Sequence, residues 1–588
     1  ALRGRGDLGE SEDDDDADGS ATLEGGLWIR ATTQRRLFPH QRRAVSWLWA
    51  LHGEGCGGIV GDEMGLGKTA QVGAFLGALA DGPRGPDRFD VCRSALILAP
   101  TTMLSHWVRE LHAWAPRARV VVLHRSSARF DEAVRAGPAA LATFLARALA
   151  APPRPGEAGG APGPDFEETP SCVLCVASYD AVHRLADALL AVPWSYAVLD
   201  EGQKLRNPDS RVTQLCKRLR TPRRLLLSGT PVQNSLRELW SLFDFAVPGR
   251  LGTLKAFDQE LAQPIRAGGF AGARPAQVQL AYRCAVALRD LIQPYLLRRT
   301  KAALTAAGGS GGALPPKTAD VLLCALSQDQ IDLYRHVLDG DDVRKALAGD
   351  GGQQATAFRA IAALRKICNH PDLYGGPPEG AAPGAASRSS KLAALDAVLV
   401  RWKAQGHRVL VFSQTISMLD VLEALVVARG WRYGRMDGAT APAARQATAD
   451  AFNASSKTFV MLLTTRTGGV GLSLVGADRV VLYDPDWNPQ TDAQARERSW
   501  RLGQTKPVTI YRLVCAGTIE EKIYHRQIFK QALTNKVLSD AKQRRLFSQS
   551  ELGELFTLGD AALAAATDGG DVARVEDFAQ RTASADAP

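Results

Sequence analysis

Short apolar runs alternate with amphipathic stretches in two blocks of this chain, one over about 27–247 and the other after about 388. In the first block the runs at 57–61, 91–99, 120–123, 172–177, 196–199 and 224–227 are almost continuously apolar, as strands buried on both faces are. Segments 39–52 and 69–79 between them have helical spacing. The second block has apolar runs at 409–412, 459–463 and 480–483. This alternation predicts an α/β protein with two doubly wound parallel-sheet lobes. The stretch between the blocks reads as helical at 250–300 and again at 327–370, broken by glycines at 308–312 and followed by a Gly/Pro/Ala linker at 375–388. A Pro/Gly/Ala segment at 151–168 reads as a surface insertion.

The expected organisation runs from a disordered acidic segment, 1–26, to a first lobe at 27–247 and a helical insert and linker at 248–387. A second lobe follows at 388–520, then a helical brace at 521–557 and a disordered tail at 558–588. A chain of 588 residues exceeds one hydrophobic core, and 45% hydrophobic with 23% charged residues is ordinary for globular protein. No apolar run is long enough to span a bilayer. The first residues do not resemble a secretory signal, and the chain begins without Met, as a fragment of something longer would. Net charge is +9 despite the acidic tract Asp13–Asp16, which suits a polyanionic partner but also suits plain solvated Lys/Arg faces. The nine cysteines lack a second pair at zinc spacing, so they read as reduced structural thiols of an intracellular chain.

The chemistry begins after the run at 57–61, where Asp62-Glu-Met64-Gly65-Leu66-Gly67-Lys68-Thr69 joins a strand to a helix. Such a loop cradles phosphates with its N–H groups, while Lys68 reaches the β and γ oxygens and Thr69 offers its hydroxyl to Mg2+. A glycine-rich turn before an ordinary helix is the plainer alternative. Asp62 stands where the general pattern has glycine, a variant seen in helicase-like motors. After the run at 196–199, Asp200 is placed to hold Mg2+ through water and Glu201 to orient or deprotonate the attacking water; an exposed acidic turn would read the same in isolation. Arg498 and Arg501 lie three apart in Gln494-Ala-Arg-Glu-Arg-Ser-Trp-Arg-Leu-Gly-Gln504, hence on one helical face. They are either a solvated face or the cations that stabilise phosphoryl transfer.

These motifs occur in order with Ser228-Gly-Thr-Pro-Val-Gln-Asn234, Arg435-Met-Asp-Gly-Ala-Thr440 and Thr464-Thr-Arg-Thr-Gly-Gly-Val-Gly-Leu-Ser473. Together they resemble the SWI/SNF-type ATPases of helicase superfamily two, over roughly 27–556. Segments 200–208, 252–301 and 517–547 are similar to the Cockayne syndrome group B proteins, the transcription-coupled repair subgroup. Gln203 departs from the histidine usual there.

The resemblance implies two RecA-like lobes with ATP and Mg2+ between them, and Lys68, Asp200, Glu201, Arg498 and Arg501 as catalytic residues. It implies nucleotide contacts from Gln41, which would read adenine, from Asp62, from Met64 to Thr69, and from Gly471, Arg498 and Arg501. Thr69 and Asp200 would serve the metal. Pro100, Thr101, Ser178, Tyr179, Ser413, Gln414, Thr464 and Thr465 match segments that grip the DNA backbone, and Trp487 matches a tryptophan against the groove. Each of these polar residues also suits a strand-end cap or turn. The implied protein is a nuclear, ATP-driven translocase on double-stranded DNA that does not separate strands, with nucleosomes and stalled RNA polymerase II as further partners. A general nucleosome-sliding remodeller and a nucleotide-gated switch with little turnover are the other readings; an RNA helicase fits the long insert poorly.

Overall fold

The structure is a computed structural model that describes residues 20–81, 92–149, 172–229, 236–268, 273–306, 315–348, 353–380, 383–468, 472–501, 503–538 and 558. Two compact units divide the chain, with the boundary at 313/314.

The first unit is built on a parallel sheet of strands β1 (Gly58–Val60), β2 (Ser94–Ala99), β3 (Arg119–Leu123), β4 (Val173–Ser178), β5 (Tyr196–Asp200), β6 (Arg223–Leu227) and β7 (Leu296–Leu297), in the order β3-β4-β2-β5-β6-β1-β7. β1, β2, β4 and β5 are buried along their whole length, which is why they read as unbroken apolar runs. Helix α1 (Pro39–Gly53) leads into β1, α2 (Lys68–Asp81) follows it, and α3 (Leu104–Trp114) follows β2. α3 packs tightly on α2, since a Cβ at Gly77 would lie 2.2 Å from the Trp114 carbonyl oxygen. Register places Ala99 beside Ser178 and Asp200 beside Leu227, so the strands end together at one edge of the sheet.

The second unit has its own parallel sheet: β8 (Lys317–Cys324), β9 (Val409–Ser413), β10 (Tyr433–Met436), β11 (Val460–Thr464), β12 (Arg479–Leu482) and β13 (Val508–Cys515), ordered β8-β13-β12-β9-β11-β10. Ser413 pairs in register with Thr464 at its C-terminal edge. Helix α4 (Ser390–Ala404) enters this sheet and α5 (Ile519–Leu538) leaves it. A buried ion pair joins these two helices: the Lys391 ammonium donates to both Glu520 oxygens, at 2.7 and 3.0 Å.

Several expectations change. Within 248–387, residues up to 313 other than 270–272 group with the first unit and those from 314 with the second. Strands β7, β8, β10 and β13 were not legible as apolar runs. β8 is a largely exposed edge strand, and β13 buries Thr509 and Arg512 among its apolar residues. The linker at 375–388 is pinned: Gly384 N–H donates to Asp372 at 2.8 Å and Arg388 pairs with Asp329 at 2.9 Å. Within 1–26, Ser20–Thr22 is a strand paired with Trp28–Arg30. The surface insertion at 151–168 and residues 539–557 of the brace lie outside the described residues, as does all of the tail but Leu558. Among the described residues, no helix is long and apolar enough to cross a membrane, and all nine cysteines are free thiols.

Candidate nucleotide site and strand-end segments

The loop after β1 turns through two glycines with positive φ, Gly65 at 86° and Gly67 at 78°. A Cβ on Gly67 would stand 2.3 Å from the Gln41 side-chain nitrogen. The loop delivers Lys68 and Thr69 to the first turn of α2, where free N–H groups and the helix dipole favour anions. The Lys68 ammonium donates to the carbonyl oxygens of Asp62 at 2.8 Å and Glu63 at 3.4 Å.

Gln41 is packed into this loop: its oxygen accepts from Phe38 N–H at 3.0 Å and its nitrogen donates to Leu66 O at 3.3 Å. Its amide thus braces the cradle against the start of α1. Asp62 is fully buried. Its Oδ1 accepts from the Arg299 backbone N–H at 3.1 Å and from Nε at 3.0 Å, and its Oδ2 accepts from the same guanidinium and from Gln71 at 3.2 Å. Glu63 accepts from Lys301 N–H at 2.7 Å. The unusual acid at 62 is therefore the anchor by which the 296–301 segment holds the loop. No local pattern around Asp62 points to Arg299, which is 237 positions away.

Asp200 ends β5, two strands from β1. Its Oδ2 accepts from the Trp107 indole N–H at 2.8 Å and its Oδ1 from the Glu201 N–H at 2.9 Å. Burial, aided by the Glu201 charge, pushes its carboxyl up to about 6, while the Trp107 hydrogen bond and the Lys68 charge pull the other way. A desolvated carboxylate at the sheet edge where the loop also ends, with the Thr69 hydroxyl in the first turn of α2, is an all-oxygen donor set that fits a hard dication such as Mg2+. The other cluster of possible ligands, Cys368, Cys515 and Glu520, does not, because Lys391 already supplies its cation.

Glu201 has φ 52° and ψ 51°, and is the non-glycine residue with positive φ among those described. Its carboxylate accepts from Gln203 at 2.6 Å, and Gln203 in turn accepts from the Ser228 hydroxyl at 3.1 Å. A left-handed backbone at an acidic residue is costly, and here it is held by hydrogen bonds on both sides.

In the second unit the helix Pro489–Arg496 ends before Arg498, so Arg498 and Arg501 share a turn and not a helical face. They converge nonetheless, donating to the Leu472 carbonyl at 3.5 and 3.2 Å. Gly471 lies outside the described residues.

The segments expected at DNA all sit at C-terminal strand edges, but their side chains differ. Pro100, Thr101, Gln414 and Trp487 are partly exposed, whereas Ser178, Tyr179, Ser413, Thr464 and Thr465 are buried. The Tyr179 hydroxyl donates to the Asp200 carbonyl at 2.7 Å. Gln414 N–H donates to Asp484 at 3.0 Å, and Trp487 has the Arg526 guanidinium 5.8 Å above its ring.

A parallel sheet whose strand ends in a lysine-bearing glycine loop, with a buried acid two strands away, defines a phosphate-loop α/β protein. Residues 40–373 match the SNF2-related domain and residues 390–503 the helicase conserved C-terminal domain. The chain belongs to the SNF2-related family. It is 44% identical to the rice DNA excision repair protein CSB over 94% of this chain and 47% of that protein. It is 44% identical to the human DNA excision repair protein ERCC-6 over 93% of this chain and 35% of that protein. For the Saccharomyces cerevisiae DNA repair and recombination protein RAD26 the values are 43%, 89% and 49%. The chain thus spans a third to a half of the length of these relatives. Among solved structures, the Sulfolobus solfataricus SWI2/SNF2 ATPase core in complex with dsDNA aligns over 86% of this chain and 94% of that one, at 24% identity and a TM-score of 0.37.

Proposed function

We propose that this chain is the motor portion of a nuclear ATP hydrolase that moves along double-stranded DNA without separating its strands, in transcription-coupled repair at stalled RNA polymerase II. The observation that carries the reading is the pairing of loop and acid within one unit: Val60, Leu227 and Asp200 lie in register across β1, β6 and β5, so the loop bearing Lys68 and the acid leave the sheet at the same edge. The repair proteins among its relatives support the biological setting.

In this reading Lys68 and the loop N–H groups hold the ATP phosphates, and Thr69 and Asp200 hold Mg2+. When bound, the ion would supply positive charge that stabilises phosphoryl transfer. Glu201 orients the attacking water and takes its proton, and its strained backbone aims the carboxylate. Arg498 and Arg501 are assigned to the charge that develops on the γ-phosphate. Thr101 and Gln414, partly exposed at strand edges, are assigned to backbone phosphates, and Pro100, which has no donor, to shaping the turn that presents Thr101. Affinity would then be steeply salt-dependent and nearly indifferent to sequence.

The test is ATP turnover with no nucleic acid, duplex DNA, single strands, nucleosomes and a stalled polymerase complex. Duplex should stimulate more than single strands, and the stalled complex at least as much as nucleosomes. Equal turnover across the panel would overturn the motor reading. Stimulation by nucleosomes alone would favour a general remodeller.

A further inference from the structure

We propose that Trp107 and Tyr179 are positioning residues through which the segments at the ends of β2 and β4 govern the metal-holding carboxylate Asp200. The proposal rests on the function proposed above. Both side chains are buried, both follow strand-end segments (Tyr179 directly after β4, Trp107 eight residues after β2), and both end on Asp200. Trp107 follows the Pro100–Met103 turn, one helical turn into α3, and donates to Asp200 Oδ2 at 2.8 Å. Tyr179 follows Ser178 directly and donates to the Asp200 carbonyl at 2.7 Å. One tether fixes the carboxylate and the other the backbone that carries it.

An indole can only donate, so a fully buried Trp107 needs an acceptor, and the acceptor here is the one acid assigned to the metal. A carboxylate has about four lone-pair sites. Trp107 and the Glu201 N–H each take one, on different oxygens, which fixes the plane of the group and the direction of the remaining sites. Groups that hold a ligand's other lone pairs set its orientation toward the metal. Movement of the segment at 100–103 carries α3, and with α3 the indole N–H. Contact with a nucleic-acid phosphate at that segment is thereby felt at Asp200.

A purely structural role is the rival account, and the same helix supplies a control. Trp114 also donates to a carboxylate, Glu110, at 2.8 Å, and it packs on α2 at Gly73 and Gly77 while its indole bonds neither Asp200 nor the loop. The experiment uses the full chain as parent, Trp107→Phe, Tyr179→Phe and Trp114→Phe. Mn2+ affinity is read by electron paramagnetic resonance with a non-hydrolysable ATP analogue, nucleotide affinity in EDTA by fluorescence, and the ratio of duplex-stimulated to basal turnover by ATPase assay. Trp107→Phe should weaken Mn2+ binding by about 10-fold or more while leaving metal-free nucleotide affinity unchanged. Both Trp107→Phe and Tyr179→Phe should lower the stimulation ratio, and Trp114→Phe should match the parent. Parental Mn2+ affinity and ratio in Trp107→Phe would overturn the proposal. If that variant fails to fold, Tyr179→Phe decides, and a parental ratio in it overturns the proposal. A parent that binds Mn2+ with nucleotide but ignores duplex would defeat the motor reading, and the Mn2+ comparison would still decide the role of Trp107. A parent that binds neither would defeat both.

Discussion

Replacing Arg299 with alanine tests whether the phosphate loop is held from outside. In the structure the Arg299 side chain donates to both Asp62 oxygens and to the His40 carbonyl, and Asp62 has no exposure of its own. After Arg299→Ala the acid keeps the residue-299 backbone N–H at 3.1 Å and the Gln71 amide at 3.2 Å, but loses its only guanidinium. Removing one partner of a buried pair costs about 3–5 kcal/mol. The two remaining donors and the slight exposure of Arg299 argue for the lower end. Much of that cost is relieved if the loop opens and hydrates Asp62, in which case ATP must reorder it. A loop-ordering cost of about 1.4–2.8 kcal/mol would appear as a 10–100-fold weaker dissociation constant. The assay is a fluorescent-ATP titration beside urea unfolding, for the parent, Arg299→Ala, Asp62→Asn and the double variant. The double variant should lose less than the sum of the two single losses. Arg289→Ala is the control: its pair with Asp290 leaves the side chains 47% and 58% exposed, so the change should stay within about 0.5 kcal/mol. An Arg299→Ala protein with parental stability and ATP affinity would refute the clamp.

The remaining predictions concern strain, charge and turnover. Lys68→Ala should abolish duplex-stimulated turnover, whereas Arg498→Ala should retain ATP binding and slow hydrolysis by about 10³-fold, both read by ATPase and binding assays. At position 201, glycine should be more stable than alanine by about 1 kcal/mol in urea unfolding, the reverse of the order in a helix, because only glycine accepts φ 52° freely. Burial, with the nearby Arg223 charge, lowers the His52 imidazole to about 4. The unfolded chain, with an ordinary histidine near 6.5, then binds a proton that the folded one refuses. The contribution of His52 to stability should rise from about pH 4 to 6.5 and be fully present above that window, while the raised Asp200 carboxyl acts in the opposite sense up to about pH 6, so the difference between the parent and His52→Phe in pH-dependent unfolding is the readout.

The central strands of both sheets were legible because burial on two faces leaves no polar position to interrupt them. The strands that escaped notice lie at sheet edges or carry buried polar residues. β8 shows its outer face to solvent, and β13 places Arg512 against Asp492 at 3.9 Å and over the Tyr524 ring. The candidate site residues stand out where chemistry demands a residue type at a fixed local spacing, as with Lys68, Thr69, Asp200 and Glu201. Residues that act across the fold were not. Arg299, Trp107 and the Gln203–Ser228 link depend on which strand ends lie side by side, and no local pattern announces that. The assumption of one helical face for Arg498 and Arg501 failed because the helix stops at Arg496, yet the Leu472 carbonyl gathers both.

The clamp on the phosphate loop also has a consequence in time. Asp62 and Arg299 are 237 positions apart, and β7, which borders β1, is made just before Arg299. At roughly 5–20 residues per second, a ribosome needs about 10–50 s to travel from one to the other. Throughout that interval the nascent first sheet has an open edge along β1, and its buried acid lacks a counter-charge. The cradle is therefore among the last parts of the first unit to mature during synthesis, and a message cut short before the codon for Leu296 would yield a sheet with an unprotected edge and an unanchored loop.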